Sequence, residues 1–98
     1  MLVDIEKIEK AKEKVGAART AELTAELLSL EKFDARNFKA CCPFHNEDTP
    51  SFVLNQKTMK WHCFGCSKNA DLLDVYMHCG MTYMEAVQEL FKEAGMEF

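Results

Sequence analysis

Two short stretches of this 98-residue chain carry side chains whose types and spacing could do chemistry: Cys42-Pro43-Phe44-His45 and Cys63-Phe64-Gly65-Cys66. The first is a Cys-x2-His pair, the second a Cys-x2-Cys pair, and seventeen residues (46–62) lie between them. Zn²⁺ is held tetrahedrally by thiolates and imidazole nitrogens, commonly as two short-spaced pairs that the fold brings together. Two residues between ligands allow a tight turn whose backbone N–H groups can also point at thiolate sulfur. Gly65 stands directly before Cys66, and glycine supplies a positive φ where such a knuckle needs one. Cys42, His45, Cys63 and Cys66 would fill the coordination shell and leave no position for a reactive water. The expectation is one structural Zn²⁺.

The elements that must position these ligands are short. Asp34-Ala35-Arg36-Asn37 reads as a turn into a strand at 37–41, and Pro43 preorganises the first knuckle. Thr49-Pro50 leads into a strand at 51–54. Asn55 to Thr58 forms a hairpin turn, and Met59 to His62 runs back to the second knuckle. Upstream, residues 3–15 place Ile5, Ile8 and Val15 near one helical face; charge pairing at i,i+4 gives this helix only partial support, and the expectation is a solvated helix or frayed extension. Gly16 and Thr20 read as a break and an N-cap for a second helix over 20–29, with Leu23, Leu27, Leu28 and Leu30 as its apolar set. Downstream, Asn69 is read as the cap of a helix over 70–79 with Gly80 after it. Thr82-Tyr83-Met84-Glu85 is a capping box opening a helix that turns Val87, Leu90 and Phe91 inward and ends at Ala94-Gly95. The expected fold class is α+β: a zinc ribbon with a small antiparallel β-sheet flanked by helices.

Residues 37–66 (NFKACCPFHNEDTPSFVLNQKTMKWHCFGC) resemble the zinc-binding domain of bacterial and phage DnaG-type DNA primases, the CHC2 zinc-finger family. The carrying motifs are Cys42 to His45, Glu47 to Phe52 and Trp61 to Cys66. With flanking helices the resemblance covers roughly residues 20–95, which suggests an N-terminal helical extension at 1–19 and a CHC2-type domain at 20–98. After the second knuckle the family carries a glycine-rich turn and an acidic residue; here Ser67-Lys68-Asn69-Ala70-Asp71 keeps the acid and loses the glycines. The resemblance implies a module of a DNA primase that engages single-stranded DNA template and assists primer initiation by a separate polymerase domain, with a replicative helicase as a further partner. No catalytic centre is expected within these residues.

Composition bounds this reading. A domain of this size has a marginal core, to which a bound metal adds stability. Five cysteines, three of them in the metal pattern, argue against a disulfide framework and for a reducing, cytoplasmic compartment. No apolar run is long enough for a bilayer span, and the first residues are too charged for a signal peptide. The formal charge of −4 is unevenly spread. Residues 32–68 carry six basic and three acidic side chains, a net +3, whereas residues 69–98 carry one basic and six acidic, a net −5. The metal-bearing segment is thus the positive part of an acidic chain, which matters for a phosphate backbone more than the total.

Arg36, Lys39, Lys57 and Lys60 are the candidate phosphate contacts, and the resemblance puts their counterparts on or near a template-binding face. Among Phe38, Phe44, Phe52, Trp61 and Phe64, most must serve the core, and Trp61 is the candidate for stacking on a base. His62 adjoins Cys63 but alternates to the other strand face, and Cys41 faces away from Cys42, so neither joins the ligand set. Two other functions compete. A zinc-stabilised protein-interaction adaptor of a phage or mobile-element replication system fits the same ribbon. A zinc deaminase would use His45-x-Glu47 with Cys63-x-x-Cys66, but it leaves Cys42 without a role and has His62 where that pattern has proline.

Overall fold

The computed structural model describes residues 4–44 and 49–97. His45, Glu47 and Asp48 lie outside the described residues. Chain order is α1 (Ile5–Leu28), β1 (Lys39–Ala40), β2 (Phe52–Asn55), β3 (Lys60–Cys63), β4 (Asn69–Ala70), α2 (Leu72–His78) and α3 (Tyr83–Ala94). The strands form an antiparallel sheet in sequence order, and the α+β class is as expected.

Alternation along each strand separates two faces. Ala40, Phe52, Leu54, Trp61, Cys63 and Ala70 point inward and are buried. The outward positions form a cross-strand row, because Lys39 pairs with Val53, Val53 with His62, and His62 with Asn69. The hairpin turn is set by Asn55, whose Oδ1 accepts from the backbone N–H groups of Lys57 and Thr58. Asp34 does the same at the entry to β1, where its carboxylate accepts from Arg36 N, Asn37 N and Asn37 Nδ2.

Two apolar clusters share α1. One joins Ile8, Ala11 and Leu23 to Leu72, Val75, Tyr76, Val87, Leu90 and Phe91 of α2 and α3. The other seats Ala21 on the inner sheet face with Cys42, Phe52, Leu54, Trp61 and Cys63. Residues 5–15 are therefore not a solvated extension on every side: the face carrying Ile8, Ala11 and Lys12 is buried. Lys12 Nζ reaches the Asp71 carboxylate at 2.8 Å, tying this segment to the start of α2.

Gly16 does interrupt α1, with φ 82° and ψ 165°, a conformation glycine alone adopts without strain. Thr20 is not an N-cap. It lies buried within the second half of α1, where its carbonyl accepts from Thr24 Oγ1 at 2.7 Å. Asn69 is likewise not the cap of α2, since it pairs with His62 in β4. The cap is Asp71, in a reciprocal box with Asp74. The Thr82/Glu85 box opens α3 as expected, and Gly95 closes it with φ 70°. Among the described residues no helix is long and apolar enough to cross a membrane.

Candidate metal centre

Cys42 follows β1, Cys63 ends β3, and Cys66 lies in the turn between β3 and β4. The antiparallel register puts these three sites at one end of the sheet, and their Sγ atoms all lie within 4.8 Å of one another. Cys42 Sγ and Cys66 Sγ are 3.9 Å apart. Tetrahedral coordination with Zn–S bonds of about 2.3 Å requires sulfurs about 3.8 Å apart, so the thiol set fits zinc. The Cys42 and Cys63 side chains are buried and Cys66 is exposed.

The second knuckle is closed by its own backbone. Ser67 N donates to Cys63 O, Cys63 N donates to Lys68 O, and Cys66 N donates to Cys63 Sγ at 3.4 Å. The left-handed residue of this turn is Ser67, with φ 62°, rather than Gly65. The turn closes without a glycine at its left-handed position. Ser51 adds a contact that spacing could not reveal, with its Oγ 3.5 Å from Cys63 Sγ. Its position immediately before β2, opposite the end of β3, follows from the Phe52–Cys63 register.

Protonation differs sharply within the cluster. Burial pushes the Cys42 thiol up to about 12, and the neighbouring Cys63 and Cys66 thiols add to the effect. Burial also acts to raise Cys63, but the Ser51 hydroxyl and the backbone N–H groups of Cys66 and Gly65 outweigh it, bringing this thiol down to about 7. Three thiolates so close repel one another, and a bound divalent cation resolves that repulsion.

The remaining candidates separate cleanly. His62 points away from the thiols and binds Asn69 Oδ1 through Nδ1 at 2.7 Å, as the alternation argument requires. Arg36 and Lys57 are exposed in turns, and Lys39 and Lys60 are exposed on the outward sheet face. Trp61 cannot stack on a base. Its relative exposure is 0%, its ring lies parallel to Phe52 at 4.6 Å, and α1 covers it. The exposed aromatic on this end is Phe64, 72% exposed and edge-on to His62 at 4.7 Å.

Comparison with known proteins agrees with this site. The sequence model of the CHC2 zinc finger matches residues 4–98. The DNA primase of Escherichia coli K12 is 45% identical over 67 residues, which is 67% of this chain and 12% of the relative. The DNA primase of Haemophilus influenzae is 43% identical over 63 residues, 63% of this chain and 11% of the relative. This chain thus spans a small part of the curated relatives' length. The crystal structure of the Aquifex aeolicus primase, comprising its zinc-binding and RNA polymerase domains, superposes with a TM-score of 0.66 at 32% identity, covering 100% of this chain and 23% of that one. With a thiol cluster that fits zinc and a match over almost its whole length, the chain belongs to the CHC2 zinc finger family as a DnaG-type primase zinc-binding domain.

Proposed function

We propose that this domain engages single-stranded DNA template across the outward face of its sheet and assists primer initiation by a separate polymerase domain. The observation that carries the reading is the cross-strand row Lys39–Val53–His62–Asn69, flanked by Lys60 and by exposed Phe64. Cations spaced along an open sheet neutralise phosphates, and a projecting ring offers a base a stacking partner. Arg36 and Lys57, in turns bordering β1 and β2, extend the positive surface.

In this reading Cys42, His45, Cys63 and Cys66 hold the zinc, which supplies a closed structural cross-link between the two knuckles. Ser51 and the Cys66 N–H orient Cys63 for that role. The deaminase alternative loses ground because Cys42 joins the thiol cluster instead of standing apart from it. The adaptor alternative draws on the acidic segment 69–98, which is folded into α2 and α3. That acidity suits a basic surface on a polymerase domain or helicase, chiefly through encounter rate and orientation.

The test is titration of the zinc-loaded chain with fluorescent single-stranded oligonucleotides at several salt concentrations. Binding should be weak and should fall steeply with salt. Lys39→Glu with Lys60→Glu should remove most of it while zinc content stays intact. Unaltered binding by that double variant overturns the sheet-face reading and favours the adaptor. In a primer-synthesis assay with four ribonucleotides and Mg²⁺, the chain alone should make no product, and adding a primase polymerase domain should give primers that depend on Cys63 and Cys66.

A further inference from the structure

A cleft of about 330 Å³ opens between the second knuckle and α2, lined by Phe44, Lys68, Asn69, Asp74 and His78 among others. It begins where the sheet face ends, because Asn69 belongs to both: its Oδ1 is held by His62 of the outward row. The cleft walls are aromatic and carry opposite charges. Lys68 Nζ stands 4.8 Å over the Phe44 ring and makes no ion pair among the described residues. His78 packs edge-on to the same ring at 5.4 Å. Asp74 commits Oδ2 to the backbone N–H of Asp71, and its Oδ1 has no hydrogen-bond partner among the described residues.

We infer that this cleft seats one nucleotide of the single strand, with its phosphate on Lys68 and the amine-bearing edge of its base on Asp74 and Asn69. The inference rests on the sheet-face reading of template binding. An inorganic anion would meet the Asp74 carboxylate, and a simple cation would meet Lys68. A nucleotide presents an anionic phosphate to the one and a neutral N–H donor to the other, and the Phe44 and His78 rings suit its flat base. Single strands are read on their Watson–Crick edges. A carboxylate there accepts from the exocyclic amine of cytosine, and adenine and guanine carry amines too. Thymine instead flanks its single N–H with two carbonyl oxygens, which a carboxylate repels. The cleft therefore discriminates against thymine.

The experiment compares zinc-loaded wild type, Asp74→Asn, Lys68→Ala and the Lys39→Glu/Lys60→Glu variant by fluorescence anisotropy, on dC and dT homo-oligonucleotides of equal length at neutral pH. Asparagine keeps an acceptor oxygen for the Asp71 N–H, and the Lys68 side chain meets the first knuckle only over the Phe44 ring, so zinc content and circular dichroism should match wild type. Wild type should favour the dC strand by roughly five-fold, on the scale of one hydrogen-bonded base contact. Asp74→Asn should abolish or invert that preference, because its amide can donate to a thymine carbonyl. Lys68→Ala should weaken both strands about three-fold and reduce the salt slope by about one phosphate contact. If the sheet variant loses binding while both cleft variants behave as wild type, the cleft assignment is overturned and the sheet face stands. If the sheet variant binds normally, the sheet-face reading itself fails. Displacement of the oligonucleotide by an equal concentration of free dCMP would make the cleft a mononucleotide site and overturn its assignment to the strand.

Discussion

Trp61 Nε1 donates to Thr24 Oγ1 at 3.1 Å in the buried seam between β3 and α1. The same hydroxyl donates onward to the carbonyl of Thr20 at 2.7 Å, so both of its hydrogen-bonding roles are filled. This chain of two bonds fixes the tilt of α1 over the sheet and holds the Trp61 ring flat against Phe52. A buried indole normally finds such a partner, and here the partner comes from a residue 37 positions away.

Trp61 substitutions should therefore report on stability and not on nucleic acid. Trp61→Phe keeps most of the stacked surface but removes the donor to Thr24, at a cost of about 1–2 kcal/mol. Trp61→Ala opens the inner sheet core and should cost about 3–5 kcal/mol. Chemical denaturation measures both. Oligonucleotide affinity of the folded Trp61→Phe protein should match wild type, and a large selective loss of affinity would return the ring to the binding face.

Phe64 should show the reverse pattern. Because its ring is largely exposed, Phe64→Ala should change denaturation midpoints little while weakening single-strand binding by about 1–3 kcal/mol if a base stacks on it. A destabilised fold with unaltered affinity would contradict that assignment.

The Lys12–Asp71 pair gives a pH-dependent signature. Burial alone would raise the Asp71 carboxyl, but the Lys12 ammonium and the Asp74 backbone N–H outweigh it and hold the group below its ordinary 3.8. A depressed carboxyl contributes stability above its unfolded value, and that contribution is lost as pH falls through the folded one. Burial alone would lower Lys12, and Asp71 reverses this, so its own contribution persists below 10.5 and fades only above it. Lys12→Met should thus cost about 2 kcal/mol across neutral pH. The gap to wild type should narrow as pH drops below about 4, measured by urea midpoints across a pH series. A gap that is constant down to pH 2 would mean the ion pair contributes nothing beyond packing.

Much of this architecture was legible because local rules and tertiary demands coincided. Period-two alternation put His62 and Cys63 on opposite faces, and the structure keeps them there. The Thr82/Glu85 box and Gly95 bounded α3 without ambiguity. Where sequence reasoning misplaced the start of α2, two residues separated by a single position could have served, and long-range pairing chose between them. Asn69 and Asp71 are both good caps, and Asn69 was taken by strand pairing with His62. Thr20 reads as a cap after Gly16, but the helix restarts at once and Thr20 lies buried within it, its carbonyl accepting from Thr24 Oγ1. Trp61 beside two basic neighbours suggested a binding ring, yet which sheet face α1 covers is not a local property. The Ser51–Cys63 contact and the Lys12–Asp71 tie have no signature in spacing, since they join residues 12 and 59 positions apart.

The cysteines should divide sharply. Cys63→Ser or Cys42→Ser removes a thiol of the cluster and should abolish stable metal loading, whereas Cys79→Ser, exposed at the end of α2, should leave it intact. Cys41→Ser replaces a buried thiol outside the cluster and should lower stability modestly while preserving zinc content.

A single zinc is proposed to close the end of the sheet, and the direct measurement is elemental analysis paired with thermal unfolding before and after chelation. Protein purified without chelator should carry one zinc per chain. Its cooperative transition should shift strongly downward or vanish when the metal is stripped, because metal binding to a site absent from the unfolded chain is folding free energy. Restoring zinc should restore the transition. A chain that purifies without zinc, or that unfolds at the same temperature once stripped, would contradict the account.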